Sequence, residues 1–172
     1  MRHLVAIAAV IVSSVASAAT LPDVPALGSR LEDLDRESFQ CRTVDLESQC
    51  RRRGNAADRV NHEPVFQIVL FYRNDLLVRS VFVFDEAHFK SLVRQLSDRF
   101  GTAVEGTEAL KAGMAGVFEN RYYVWKPDGR VWFAEQFFER VTDSGLWIMV
   151  DAEFTRLQAE RERMRVHGAR DL

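Results

Sequence analysis

The two cysteines of this chain, Cys41 and Cys50, are the residues whose spacing most directly indicates a reaction, the formation of a disulfide. Their separation rules out a C-x-x-C redox pair. A metal site would need further ligands, and no histidine flanks either cysteine. We therefore expect one structural disulfide, which stabilises the fold by roughly 2.5–3 kcal/mol for a loop of this length.

The histidines offer two positions for acid–base or metal chemistry, and neither is supported by its surroundings. His62 and Glu63 are adjacent and could form a catalytic pair, but no nucleophile or third group accompanies them. His88 has no partner at the spacing of metal ligands. The motifs G-x-S-x-G and H-E-x-x-H are absent, as is any Cys-His arrangement. We predict no catalytic residue, no metal site and no cofactor, and expect a binding protein rather than an enzyme.

The densest positive charge in the chain is the run Arg51, Arg52 and Arg53. One interpretation is a solvated turn beside the disulfide; the other is an anchor for an acidic partner or for an anionic surface of the cell envelope. The whole chain has 23 Lys and Arg against 25 Asp and Glu, a net charge of −2. Because nucleic-acid-binding domains normally carry a strong basic excess, we expect no nucleic-acid partner.

A second group of candidate partner-binding residues lies in an aromatic-rich stretch between residues 121 and 150. All three tryptophans fall there, together with two tyrosines and three phenylalanines. If one face of these strands is open, its aromatic side chains and neighbouring arginines suit a protein–protein surface. The residues that we select are Tyr123, Trp125, Arg130 and Trp147, and Arg121, Lys126 and Arg140 add positive charge nearby. The alternative is a two-sided core, covered by the N-terminal segment.

The elements that must position these residues begin with a hairpin. Val65 to Tyr72 and Leu76 to Phe84 are rich in β-branched and aromatic residues, which is typical of strands. Asn74 and Asp75 lie between them and tolerate the positive φ of a tight turn. A two-residue turn would set Arg79 opposite Leu70, whereas a three-residue turn would set it diagonal to Gln67 on a shared, wetter face. We expect the second arrangement.

An amphipathic helix follows the hairpin. Asp85 stands at the N-cap position, and Gly101 stands where a helix ends. Between them apolar residues recur at helical spacing, which predicts a helix packed on the two strands. The apolar residues are Phe89, Leu92, Val93, Leu96 and Phe100.

The remaining elements are predicted from local signals. Ser29 and Glu32 form a capping box, which predicts a short helix to about Glu37, followed by a strand from Phe39 to Val44. Residues 102–119 are rich in Gly and Ala and are expected to be a mobile connector, with one helical turn at 108–111. A three-stranded meander should follow, over 122–126, 130–138 and 146–150. Asp151 should cap a final helix, from Ala152 to about Val166.

These elements predict an α+β fold: an antiparallel sheet of two β blocks, a hairpin and a three-stranded meander, packed on one main helix with short N-terminal and C-terminal helices. We expect a single domain over 20–172, with 167–172 a flexible tail.

Residues 1–19 indicate a cleaved signal peptide. A short basic start precedes the unbroken apolar run Leu4 to Val12, and Ala16-Ser17-Ala18 matches the small-x-small pattern of signal peptidase sites. Cleavage is expected after Ala18 or Ala19, without a cysteine for lipid attachment. We therefore expect a periplasmic or secreted protein that is not a lipoprotein. No later run is long and apolar enough for a transmembrane helix.

The stretches FQCRTV, LLVRSVFVF-DEAHFKSLVRQLSDRFG and ENRYYVWKPDGRV resemble those of small uncharacterised exported proteins of bacterial envelopes. The chain is also similar to helix-plus-sheet modules of β-lactamase-inhibitor proteins and outer-membrane assembly factors. Those modules pair a helical hairpin with the sheet, and no functional residue is carried over from them.

The sequence therefore predicts a non-catalytic periplasmic binding or accessory module that acts through protein–protein contacts, of the envelope-assembly or inhibitor type. Its partner would be an envelope protein. The alternatives are a periplasmic protein that binds a small ligand, for which a cavity lined by Tyr122, Trp132 or Phe137 would be needed, and a small hydrolase.

Overall fold

Ten strands and two α-helices are formed by the residues that the computed structural model describes, which are 20–44, 46–111 and 117–168. The strands are β1 Gln40–Val44, β2 Glu47–Arg53, β3 Arg59–Val60, β4 Glu63–Pro64, β5 Gln67–Arg73, β6 Leu76–Asp85, β7 Val104–Lys111, β8 Val117–Trp125, β9 Arg130–Glu135 and β10 Asp143–Val150. The helices are α1 Phe89–Phe100 and α2 Asp151–Gly168. Residues 1–19, which include the predicted signal peptide, lie outside the described part, as do 169–172 of the predicted tail.

Eight of the strands form one antiparallel sheet in the order β1-β2-β5-β6-β10-β9-β8-β7. Strands β3 and β4 form a separate small ribbon. The sheet therefore consists of two four-stranded halves that meet where β6 pairs with β10. Each half ends in a helix, because α1 follows β6 and α2 follows β10. The α+β class is confirmed, but the predicted five strands on one main helix are wrong: the sheet is larger and has a helix on each face.

The hairpin of β5 and β6 differs from the predicted one in its turn. Asn74 and Asp75 form a two-residue turn with φ of 48° and 61°, as their tolerance of positive φ allows. A register shift next to Phe71 then sets Arg79 opposite Phe71. The shift places Arg79 on the same face as Gln67, as expected. That face is not the wetter one, because Arg79 is only 5% exposed.

Helix α1 packs on one side of the sheet, called here the first face. The Asp85 side chain accepts a hydrogen bond from the Ala87 N–H, and this cap starts a short 3₁₀ turn that leads into the helix. At its other end Gly101 has a φ of 82° and donates to the Ser97 carbonyl. The predicted apolar stripe is confirmed. Phe89, Leu92 and Leu96 are buried, and Val93 and Phe100 pack against the same core.

The N-terminal segment also lies on the first face, where Leu21, Val24, Leu27 and Leu31 pack against the core. The predicted capped helix is wrong. Only Leu31–Asp33 form a 3₁₀ turn, and its N-cap is Arg30 without a side-chain hydrogen bond. Arg30 instead bridges to Leu76, which keeps the chain extended at that point.

The opposite side of the sheet, called here the second face, is covered by α2 and by the 136–142 segment. Phe154 and Leu157 of α2 pack on Phe133 and Met149. Phe138 of the segment packs edge-on against Trp147, with ring centres 5.6 Å apart. The sequence left two alternatives for this face, an open surface or a cover formed by the N-terminal segment, and the structure has neither. No described helix is both long enough and apolar enough to cross a membrane.

Two predicted connectors are strands. The Arg51–Arg53 run, for which a solvated turn was one of the two interpretations, belongs to β2, which pairs with β1 and β5. The predicted mobile segment contributes β7 and the start of β8, which pair along their length. The predicted helical turn at 108–111 lies within β7. Residues 112–116 lie outside the described part.

The predicted disulfide is confirmed. Cys41 and Cys50 are directly opposite each other on β1 and β2, with their Cα atoms 3.9 Å apart. The bond fastens the edge strand of the sheet to its neighbour, and Cys50 is fully buried in the first-face core.

Candidate functional site

A groove of about 680 Å³ opens on the surface between α1 and β8 and is the candidate binding site. Its wall on the helix comes from the amino-terminal half of α1, and its opposite wall comes from β8 and the two residues that follow β9. The lining residues are Phe89, Lys90, Val93 and Arg94 of α1, Phe118, Glu119, Arg121 and Tyr123 of β8, and Gln136 and Phe137.

The groove exists because β8 is longer than its neighbour β9. β8 pairs with β7 from Val117 to Val124, whereas β9 pairs only with Tyr122–Trp125. Residues 117–121 therefore extend beyond the end of β9. This stretch is called the overhang below. The chain leaves β9 after Glu135, and the space beside the overhang becomes the groove.

Two residues after β9 are held against the overhang. The Gln136 N–H donates to the Arg121 carbonyl at 2.9 Å. The Asn120 side chain accepts from the Phe137 N–H at 2.8 Å and donates to the Phe137 carbonyl at 3.1 Å. Asn120 is 1% exposed, so this amide substitutes for a strand partner in a buried position. The far end of the groove is thus fixed by buried hydrogen bonds.

Positive charge without partners lines the rim of the groove. Lys90 and Arg94 are exposed, one turn apart on α1, and neither forms an ion pair or hydrogen bond with another described residue. Arg121 faces them from the overhang. Its nearest carboxylate is Glu119 at 3.8 Å, and both side chains are more than half exposed, so this pair contributes little. The lining therefore carries three cations against one carboxylate.

The groove also offers aromatic surface. Phe118 and Phe137 are half-buried and meet edge to face, with ring centres 6.4 Å apart. Tyr123 packs on Phe89 at 5.9 Å, and its hydroxyl donates to Glu105 at 3.1 Å. Burial and the hydrogen bond to Glu105 raise the pKa of Tyr123 above its ordinary value, so the ring stays neutral. A ligand would meet apolar surface flanked by cations.

The three arginines selected from the sequence do not form one surface, because they alternate along β2. Arg51 forms an ion pair with Glu139 at 2.6 Å, which fastens the 136–142 segment to the sheet. Arg52 forms an ion pair with the buried Asp58 at 2.6 Å. Burial acts to raise the pKa of Asp58, but the hydrogen bonds from Arg52 and from the Asn55 N–H outweigh it and hold that pKa below its usual value. Arg53 alone is exposed.

The selected aromatic residues are also separated. Trp125, which would contribute to a binding surface only on an open face, is 3% exposed, and its Nε1–H donates to the Gly101 carbonyl at 3.1 Å. Trp147 lies half-buried on the second face. Arg130 is exposed at the start of β9. Only Tyr123 lines the groove.

Most groove residues were not selected from the sequence. Lys90 and Arg94 were recognisable as polar positions off the apolar stripe of α1. Arg121 was recognisable as a cation beside aromatics. Their convergence depends on the overhang of β8, for which the sequence has no local signal.

The residues considered for acid–base chemistry, His62, Glu63 and His88, pair differently from what their order in the sequence suggests. Glu63 pairs with His88 rather than with His62, since the His88 Nδ1 is 2.7 Å from Glu63. Gln95 of α1 donates to the other oxygen of Glu63 at 2.7 Å. These contacts fasten the β3–β4 ribbon to α1. Among the described residues, no three His, Cys, Asp or Glu side chains are grouped so that they could hold a metal ion.

A network of charges lies on the second face, beneath α2. Arg73 and Arg79 of the hairpin each contact both Glu47 of β2 and Glu153 of α2. Burial acts to raise the pKa of Glu153, but hydrogen bonds from Arg156 and the charges of the arginines outweigh it, and the pKa is lowered. This network holds α2 on the sheet, and its arginines are paired with carboxylates of the protein, although the buried Arg79 Nε has no hydrogen-bond partner among the described residues.

Glu135, at the end of β9, is another buried carboxyl on that face, and it is 4% exposed. The Trp147 Nε1–H donates to it at 2.6 Å, and Arg161 of α2 lies 3.6 Å away. Burial dominates over these favourable contacts and raises its pKa to about 7. It lies beneath α2.

The groove thus combines apolar surface, unpaired positive charge and an overhanging strand, and it is open to solvent along one side. Comparison of the chain with protein-family models, with curated proteins and with solved structures gave no match, so its function is inferred from its own residues.

Proposed function

We propose that this protein is a non-catalytic binding module that acts through protein–protein contacts at the groove between α1 and β8. It works outside the cytoplasm, as an accessory factor in envelope assembly or as an inhibitor. The observation that carries the proposal is that one groove is lined both by Lys90 and Arg94, which have no ion-pair partner among the described residues, and by the half-buried rings of Phe118 and Phe137. Partly exposed aromatic residues beside arginines are enriched at protein interfaces.

The shape of the groove favours a protein over a small molecule. Sites for small ligands are concave and bury most of the ligand surface. This groove lies on the surface and is open along one side, so a small ligand would remain largely solvated. A protein segment can cover the groove and extend onto its rim.

A small anionic ligand is the second candidate, because the groove volume falls within the range of small-molecule sites. Native mass spectrometry of the purified protein separates the two candidates. A stoichiometric small molecule that is retained by wild type and lost from an Arg121→Glu variant would favour the second candidate.

The proposed compartment is supported by the disulfide, since such bonds persist mainly in oxidising environments. The predicted signal peptide at residues 1–19 agrees with it.

Site-specific photocrosslinking in cells that express the protein tests the proposed function. A photoreactive residue replaces Glu119 on the rim of the groove or, as a matched control, Asp98, an exposed carboxylate on α1 that does not line the groove. We expect a discrete adduct with one envelope protein from position 119 and none from position 98. The adduct should disappear with Arg94→Glu and persist with Arg130→Glu, an exposed arginine outside the groove. Equal adducts from both positions, or none from 119, would contradict the proposal.

A further inference from the structure

The overhang of β8 presents backbone hydrogen-bonding groups to the groove. The Gln136 N–H donates to the Arg121 carbonyl, so the backbone groups of Arg121 point toward the side where β9 has ended. In an antiparallel strand every second residue points its N–H and C=O to the same side. Glu119 and Val117 therefore point theirs into the same space. No described strand pairs with them there, because the pairing of β9 with β8 stops at Tyr122.

An unpaired strand edge is a template for another strand. Here the edge is short and is flanked by α1, which limits an added strand to a few residues. The half-buried Phe118 and Phe137 lie beside this position and can pack on apolar side chains of the added segment. An extended segment therefore satisfies both the backbone edge and the aromatic surface.

The charges of the groove specify the composition of that segment. Lys90, Arg94 and Arg121 line the same groove as the edge, and Glu119 is the single carboxylate in the lining. Complementary charge steers association and excludes partners of the wrong sign. An added strand that carries Asp or Glu would neutralise the rim, whereas a basic strand would be repelled.

We propose that the groove binds an extended acidic segment of the partner protein, which adds to the β8 edge at Val117–Glu119 as a short strand. Its acidic side chains meet Lys90, Arg94 and Arg121, and its apolar side chains pack on Phe118 and Phe137. This inference rests on the proposed function of the groove and specifies what it recognises.

Selection from a display library of random octapeptides tests the composition. The purified wild-type protein is the bait, and the counter-bait is the Lys90→Glu/Arg94→Glu/Arg121→Glu variant. These positions are solvent-exposed, so the variant should keep its fold, which circular dichroism checks. We expect wild type to enrich acidic peptides with alternating apolar residues and the variant to lose them. Enrichment of basic or uncharged peptides, or of none, would overturn the inference.

Backbone methylation of an enriched peptide tests strand addition. In a strand added at one edge, alternate N–H groups face β8 and the others face away. N-methylation of one alternate set should weaken binding at least about tenfold, while methylation of the other set is tolerated. Equal tolerance of both sets would contradict strand addition. Affinity should also fall with added salt, and Arg130→Glu should leave it unchanged.

The results separate this inference from the proposed function. A partner crosslinked specifically at the groove, without binding of acidic peptides, would support the proposed binding module and refute the added acidic strand. Binding of acidic peptides without a crosslinked partner would support the peptide preference and refute the proposed role in cells.

Discussion

Arg79 and Glu153 form a buried ion pair although 74 residues separate them in the chain. The Arg79 guanidinium also lies on the ring of Phe71, 3.7 Å from the ring centre. The pair joins the central hairpin to α2, so the attachment of this helix depends on charges as well as on Phe154 and Leu157. Without Glu153, the buried Arg79 and its neighbour Arg73 would have to share Glu47, and part of the buried positive charge would lose its partner.

Glu153→Ala should therefore lower the free energy of unfolding by about 3–5 kcal/mol, the usual cost of breaking a buried pair. The matched control is Glu160→Ala on the same helix, because Glu160 is partly exposed and pairs with Arg156 alone among the described residues. That change should cost less than about 1 kcal/mol. Denaturant unfolding of both variants measures the difference, and equal losses would show that the Arg79–Glu153 pair is not a principal attachment.

Stability should depend on the ionisation of Glu135. Burial raises its folded-state pKa to about 7, above the ordinary value of 4.5. The folded protein therefore binds a proton that the unfolded chain releases, and stability falls as pH rises from about 4.5 to 7. Glu135→Gln keeps an acceptor for the Trp147 N–H and removes the charge. At pH 8 it should raise the free energy of unfolding by up to about 3 kcal/mol.

The test of Glu135 is the pH dependence of the difference between wild type and Glu135→Gln. The difference should be large at pH 8 and shrink toward pH 4.5. A difference that does not change with pH would mean that the carboxyl titrates normally.

Removal of the disulfide should lower stability without changing the fold. The double change Cys41→Ala and Cys50→Ala should lower the free energy of unfolding by roughly 2.5–3 kcal/mol from loop entropy. Reduction of the wild-type protein should produce a similar loss, whereas reductant should leave the double variant unchanged. Two free thiols in the exported protein, detected by mass spectrometry, would refute the structural role of the disulfide.

Two glycines should differ in their tolerance of a side chain. A Cβ on Gly54 would lie 1.9 Å from the Val65 carbonyl oxygen, a backbone atom that cannot move aside. A Cβ on Gly106 would meet the Tyr122 ring at 2.3 Å, and a ring can rotate away. Gly54→Ala should therefore lower the melting temperature much more than Gly106→Ala. Equal shifts would mean that the Gly54 backbone relaxes.

The mature protein should begin at residue 19 or 20. Intact-mass measurement of protein recovered from the envelope fraction reads the cleavage site directly. An Ala18→Lys/Ala19→Lys variant should remain uncut, because it removes the small residue directly before the cut at both expected sites. Recovery of wild-type protein that still carries Met1 to Ala18 would exclude the proposed route of export.

The parts of the fold that could be predicted are those with a local periodic signal. The stripe from Phe89 to Phe100 has helical spacing, and its cap residues Asp85 and Gly101 adopt the expected roles. The turn at Asn74 and Asp75 follows from their tolerance of positive φ. In each case neighbouring residues determine the outcome.

The missed elements are strands whose residues are individually poor strand formers. β2 contains three consecutive arginines. Arg51 is stabilised by Glu139, which lies far along the chain, and Arg52 by Asp58, which lies in the loop after β2. β7 contains Gly106, over which the Tyr122 ring of the neighbouring strand lies. Cross-strand contacts override local preference at such positions.

The groove could not be predicted for the same reason. Lys90, Phe118 and Phe137 come from three separate stretches of the chain. They converge because β8 extends beyond the end of β9, and the length of a strand depends on where its neighbouring strands end. The aromatic composition allowed either a binding surface or a two-sided core, and the sheet buries Trp125, one of the residues selected for such a surface.

The pairing of β6 with β10 has a consequence for how the chain matures. Asp143 pairs with Asp85 and Met149 with Arg79, separations of 58 and 70 residues, whereas the other pairings of the large sheet join strands much nearer in sequence. If the chain is translocated amino terminus first, the edge of β6 that pairs with β10 would therefore remain without a partner strand until β10 emerged. β6 contains Val81, Phe82 and Val83, so its unpaired edge would be apolar and prone to aggregation during translocation. A chaperone that binds unfolded chains would have to protect it in that interval.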